Sequence, residues 1–157
     1  MVKRIILIVA IAMFAFSGMA LAGDTATVDV TASVVGTCKF GVGGGLGGTN
    51  IATLAFGSLD PSSTADANAT VNYQYWCTKG SVAATSADNG LNYSGSRRMT
   101  NGVDFIPYSF NLTNHTQTGA GKGNPLTATI SGTILNADYI NVSAGSYLDT
   151  VALTITP

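Results

Sequence analysis

The clearest pattern in the chain lies between Asp24 and Val35. There Ala26, Val28, Val30, Ala32 and Val34 alternate with Thr25, Thr27, Asp29, Thr31 and Ser33. One apolar side chain at every second position is the period of a β-strand; a helix would space its apolar partners three and four apart. Neither glycine nor proline interrupts the run. The pattern predicts one long strand with an apolar face of small residues. Its place at the front of the sequence leaves it free to pair outside its own domain.

The same period recurs downstream. Thr70–Thr78 carries Val71, Tyr73, Tyr75 and Cys77 on one face, with Asn72, Gln74 and Trp76 on the other. Ile51–Phe56 is a short apolar strand, and Ser81–Ala87 is a weaker one of small residues. Val103 and Phe105 share one parity and Tyr108, Phe110 and Leu112 the other. The change of phase falls on Pro107, which has no N–H for a ladder, so a bulge or an edge is expected there. Leu126–Ile134 reads as a strand with Gly132 as a weak point, Tyr139–Val142 as a short strand, and Tyr147–Thr156 as the last, with Val151, Leu153 and Ile155 inward. Leu59–Ser62, Asp88–Gly90 and Thr100–Gly102 are turns, and Asn114–Asn124 is a polar loop. Seven or eight short strands with turns between them predict an all-β, antiparallel β-sandwich. No internal repeat or linker suggests a second folded domain.

Composition changes this picture at the front of the chain. Lys3 and Arg4 precede an apolar run from Ile5 to Phe16, and Ala20-Leu21-Ala22 offers small residues for cleavage before Gly23. That is the layout of an export signal over residues 1–22, and the run is short for a span of about 20 residues. Residues 23–157 then form the mature chain. It holds five basic residues (Lys39, Lys79, Arg97, Arg98 and Lys122) and eight aspartates, a net charge of −3. No basic surface for nucleic acid follows from this. Strong helix formers are scarce while Thr, Val and Tyr abound, which reinforces the all-β reading. Cys38 and Cys77, an even pair in an exported chain, predict one disulfide.

The search for chemistry finds little. His115 is the only histidine and lies in the polar loop, without partners for a metal site or a catalytic dyad. The aspartates are dispersed, and Asp60, Asp88 and Asp104 sit in or beside turns, where Asp caps its own backbone. Arg97 and Arg98 are the one local concentration of charge; they could grip a carboxylate or an acidic glycan, though a solubilising or intrasheet role fits their setting better. Gly41–Gly48 is glycine-dense but has no Lys-Ser/Thr and no helical pattern after it, so it reads as a surface loop and not as a phosphate cradle. Neither a cofactor nor a metal is called for, and no enzyme is predicted.

Four phrases in order carry a family resemblance: L-A-F-G-S-L-D-P at 54–61, V-N-Y-Q-Y-W-C-T-K-G at 71–80, S-G-S-R-R-M-T-N-G at 94–102 and G-S-Y-L-D-T-V-A-L-T-I-T-P at 145–157. They resemble the spore coat protein U domain family, which includes pilins of archaic (Csu-type) chaperone–usher fimbriae. The resemblance implies an immunoglobulin-like β-sandwich that is incomplete, its missing final strand supplied by a neighbouring subunit. It further implies a head-to-tail polymer of identical or related pilin subunits, a periplasmic chaperone and an outer-membrane usher, and a surface fimbria serving attachment and biofilm formation.

By position, the donor strand would be residues 23–36, with Ala26, Val28, Val30, Ala32 and Val34 as its inserted side chains, and the domain residues 37–157. The acceptor groove would draw on Tyr147, Val151, Leu153 and Ile155 and on residues near Cys38. Two other readings stand beside this one: an adhesin or lectin-like module at a fibre tip, using Arg97–Asn101 and the loop around His115, and a spore coat structural protein that does not polymerise.

Overall fold

The computed structural model describes residues 23–41 and 50–157; the export signal read at 1–22 and most of the glycine-dense loop, 42–49, lie outside the described residues. The chain divides into two units, Met1–Ser33 and Val34–Pro157. In the first, residues 23–33 belong to no strand or helix and all are exposed. Val28 is 83% and Val30 92% accessible, a cost in apolar hydration that a folded segment would not leave standing.

The second unit is built almost wholly from antiparallel strands. Three sheets contain its nine strands among the described residues. The largest runs β1 (Cys38–Phe40), β2 (Ala67–Cys77), β8 (Leu126–Ile134) and β6 (Asn111–Thr113). The second runs β7 (Thr116–Thr118), β3 (Val82–Ala87) and β9 (Leu153–Thr156). A two-stranded sheet pairs β4 (Arg97–Thr100) with β5 (Phe105–Tyr108).

Alternation places Tyr73, Tyr75 and Cys77 of β2 with Ala128 and Ile130 of β8. These pack on Ala83 of β3, with Leu153 and Ile155 of β9 against them. Two sheets facing across such a core make a β-sandwich. A second core gathers Ile106 of β5, Ile134 of β8 and Tyr139, with Met99 of β4 and Phe56 packed on it. Buried hydroxyls are paired: those of Tyr73 and Thr85 are hydrogen-bonded to each other at 2.5 Å, and Tyr75 accepts from Gln117 at 3.2 Å. Cys38 and Cys77 are opposite each other in the β1–β2 register and form a disulfide. With a sequence separation of 39, the chain-entropy model gives about 4 kcal/mol of stabilisation.

Several elements depart from what periodicity predicts. Asn114–Asn124 contains β7, which pairs Thr116–Thr118 with β3; its polar side chains hide the strand because its outer face meets water. The chain passes from β6 to β7 at Asn114, whose φ of 53° is the left-handed turn that Asn tolerates. In place of a strand at Tyr139–Val142 there is one turn of helix, α1 (Asn136–Tyr139), started where Asn136 N–H donates to Asp66. Pro107 sits opposite Arg98 on β5, the outer strand of its small sheet, where a missing N–H costs no ladder bond. Ile51–Phe56 and Tyr147–Ala152 keep the alternation of half-buried and exposed residues yet belong to no strand. Gly132 is buried within β8; a Cβ there would lie 2.6 Å from the Ser109 carbonyl and 2.9 Å from Leu54. Close approach of backbone and side chains, and not weakness, explains the glycine.

An apolar groove with an open strand edge

The two stretches that keep a strand's alternation without a ladder are the walls of one groove. It has a volume of about 1290 Å³ and runs along the second unit. Ile51, Leu54 and Phe56 line one wall and Tyr147, Val151 and Leu153 the other. Met99, Ile106, Phe110 and Ile130 form the floor, with Phe40 at one end and Leu59, Pro61, Tyr139 and Val142 at the other.

The backbone of the second wall explains why this groove is an edge. In an extended segment, successive residues offer their N–H and C=O to opposite sides. Leu148 exchanges both bonds with Thr100 at 3.0 Å, Thr150 accepts from Leu91 N–H at 3.1 Å, and Ala152 accepts from Asp88 N–H at 3.0 Å. All of these point away from the groove. The intervening residues, Tyr147, Asp149 and Val151, have no backbone hydrogen bond to any of the described residues. Nor do Thr53–Leu59 on the opposite wall. The groove therefore presents apolar side chains and unpaired backbone groups together, which is what an added strand satisfies.

Three aspartates hold the second wall in place. Asp104 accepts from the N–H and the hydroxyl of Ser143, and these bonds keep its carboxyl below the usual carboxylate range, the hydroxyl contributing most. Asp88 accepts from Ala152 N–H at 2.9 Å as well as from Gly90 N–H in its own turn. Asp149 accepts from Tyr108 Oη at 2.6 Å and from Asn92 N–H and Nδ2 at 3.2 and 3.1 Å. Burial pushes the Tyr108 phenol well above its ordinary value, and the bond to Asp149 adds to the shift. A neutral phenol is the form that donates, so the contact is built around the protonated side chain. Asp60 alone behaves as a simple turn cap, accepting from Ser62, whose backbone N–H does most to lower its carboxyl.

Of the residues expected at the groove, Tyr147, Val151 and Leu153 line it, while Ile155 lies further along β9, packed on the first core. Phe40, two residues from Cys38, lines one end. Met99, Ile106, Phe110 and Tyr139 were not legible as groove residues; each sits in a short apolar pattern that fits any buried position equally well. Arg97 stacks over Phe110 at 5.0 Å and donates to the Asp88 carbonyl, and Arg98 lies 4.2 Å over Phe105 and donates to the Asn92 carbonyl. Both guanidiniums are engaged within the domain. His115 has its Nδ1 3.0 Å from the Thr85 carbonyl. Among the described residues no three metal-ligating side chains cluster, and no helix is long and apolar enough to cross a membrane.

The domain is an antiparallel β-sandwich with an apolar groove flanked by unpaired backbone, features that an added strand would satisfy. A family model for the Spore Coat Protein U domain matches residues 24–154. Protein U of Myxococcus xanthus is 33% identical over 172 aligned residues, which cover 94% of this chain and 92% of that protein. The chain belongs to the Spore Coat Protein U domain family. A solved complex of chaperone and tip adhesion subunit from the archaic chaperone–usher Csu pili of Acinetobacter baumannii is a distant likeness. It shows 18% identity and a TM-score of 0.46, over 78% of this chain and 40% of that one.

Proposed function

We propose that this protein is the structural subunit of a surface fimbria, assembled by donor-strand exchange. The observation that carries this reading is the unpaired edge at Tyr147, Asp149 and Val151 beside an apolar groove. The segment that fits it is the exposed, alternating run 24–35 of another copy, whose Val28, Val30 and Val34 are at least 83% accessible. Side chains of Ala26, Val28, Val30, Ala32 and Val34 enter the groove, and Thr27, Asp29 and Thr31 face water. Residues 23–36 are the donor segment and residues 37–157 the accepting domain. Burying three valines contributes up to about 5–9 kcal/mol before the costs of association and ordering reduce it. A contact of this kind does not close on itself, so it propagates as a filament.

The role is mechanical and not catalytic. Until it receives a strand the groove is an aggregation hazard, so a periplasmic chaperone that covers it and an outer-membrane usher that hands it on are the partners this reading requires. The chain is exported through residues 1–22, and the fibre serves attachment and biofilm formation.

The experiment is a thermal melt of the mature chain with and without a synthetic peptide of residues 24–35. At a hundredfold excess over its Kd the peptide raises stability by about 2.7 kcal/mol. A scrambled peptide of the same composition does not. An unchanged melting temperature at saturating peptide would overturn the assignment.

A further inference from the structure

The domain's charges are sorted along its length. At one end of β2, Lys39 lies opposite Trp76, Lys122 reaches over the Trp76 ring at 5.9 Å, and Lys79 follows Cys77 by two residues. All three lysines are exposed. At the other end, Asp66 precedes Ala67, the first residue of β2, and binds Asn136 N–H of α1, which carries Asp138. Asp60 is tied in through Ser63, whose carbonyl accepts from Asn136, and Asp104 through Ser143, four residues beyond α1. The two remaining cations, Arg97 and Arg98, lie between the ends with Asp88 and Asp149. By side chains, one end holds three positive charges, the other four negative, and the middle balances.

β2 has eleven residues, so the ends are about 33 Å apart. That is several times the screening length of about 8 Å at physiological salt; neither end neutralises the other, and each acts on what lies next to it. The N-terminal segment joins the domain at the lysine end, where Thr37 N–H and the Val35 carbonyl both bond the Thr78 hydroxyl. The groove's lining runs from Phe40, next to Lys39, to Leu59 and Pro61, which flank Asp60, and Val142, next to the Ser143 that binds Asp104, so one mouth lies at each end. A strand lying in the groove brings its own domain's lysine end to whichever mouth it leaves. One mouth opposes lysines with lysines; the other opposes three lysines with four aspartates.

We infer that the lysine end of each copy docks on the aspartate end of the next, through Lys39, Lys79 and Lys122 against Asp60, Asp66, Asp104 and Asp138. This rests on the strand-exchange reading, and adds to it a second contact between copies that steers their encounter and fixes one direction along the filament. Charge pairing of this sort acts mainly on the association rate.

The test uses the full mature chain and follows polymer growth by light scattering at low and high salt. Growth of the native chain slows at least tenfold on raising NaCl. The variant Lys39→Glu/Lys79→Glu/Lys122→Glu, with both ends acidic, and Asp60→Lys/Asp66→Lys/Asp138→Lys, with its aspartate end reversed to a net positive charge, each grow at least tenfold more slowly than native at low salt. Mixing the two restores growth, since each supplies the end the other lacks. Each variant is also melted with peptide 24–35. A native-sized peptide shift with slow growth supports the inference, and native growth rates in both reversed variants overturn it while leaving strand exchange standing. Slow growth that mixing does not rescue also overturns it. No peptide shift in the native chain would instead remove the strand-exchange reading.

Discussion

Gly132→Ala puts the groove to a sharp physical test. Gly132 is buried in β8, and an added methyl carbon would sit 2.6 Å from the Ser109 carbonyl oxygen, 2.9 Å from Leu54 Cδ2 and 3.0 Å from Phe56 Cζ. The two side chains can swing aside, but into the groove they line. The carbonyl cannot: Ser109 is fixed by its N–H on the Thr133 carbonyl at 2.9 Å and by its hydroxyl, which accepts from Thr133 N–H at 2.8 Å. Overpacking of this kind costs about 1–3 kcal/mol. Replacing glycine returns about 0.5–1 kcal/mol by restricting the unfolded chain. Because the carbonyl cannot yield, the cost falls in the upper half of that range, and the balance is a loss of about 1–2.5 kcal/mol, or roughly 3–12 °C in melting temperature for a domain of this size.

Circular dichroism melts of the mature chain would read the loss. Gly123→Ala is the control, since nothing lies within 4 Å of its added carbon; it should be neutral or slightly stabilising. A Gly132→Ala protein as stable as the native one, or a loss of equal size in the control, would refute the packing argument. Displacement of Leu54 and Phe56 should also weaken the peptide 24–35, measured by titration calorimetry.

Three further outcomes follow from the same geometry. Val28→Asp with Val30→Asp puts two carboxylates where apolar burial is required. It should abolish fibres seen by electron microscopy while leaving the monomer's melt within about 1 kcal/mol of native, since both valines are exposed there; fibres of normal length would refute the donor assignment. The Tyr73, Tyr75 and Tyr108 phenols are all raised, chiefly by burial. Their contribution to stability is complete below about pH 10, the unfolded value, and declines as the pH rises towards their folded values. Phenolate absorbance should therefore rise together with unfolding, and Tyr108→Phe should remove part of the alkaline dependence. Asp60 and Asp104 have the opposite sign: both are lowered by hydrogen bonds, so their contribution is present above about pH 4 and is lost as the pH falls through their folded values. Melting temperature against pH should fall below pH 4, less steeply in Asp104→Asn; an identical slope would show that the Ser143 contact contributes nothing.

Alternation by itself determined most of the sheet content. Tyr73, Tyr75 and Cys77 face inward because β-branched and aromatic residues at period two leave a strand one way to bury them, and the even cysteine pair then has one way to close. The run 24–35 alternates as clearly yet belongs to no strand in the structure, because a strand exists only where a second backbone completes its ladder. What periodicity does not carry is the identity of the partner. Ile51–Phe56 and Tyr147–Ala152 read as ordinary strands because their side chains alternate like any other's. Only the tertiary arrangement leaves their backbone edges facing each other across a groove, because hydrogen bonding between distant segments is not written in local sequence. The aspartates make the same point. As single residues in a polar chain, Asp88 and Asp104 look like turn caps; the fold brings Ala152 and Ser143 to them, and Tyr108 to Asp149, and makes all three supports of the groove wall. The sorting of lysines and aspartates to opposite ends depends likewise on β2, which sets about 33 Å between residues that composition counts together.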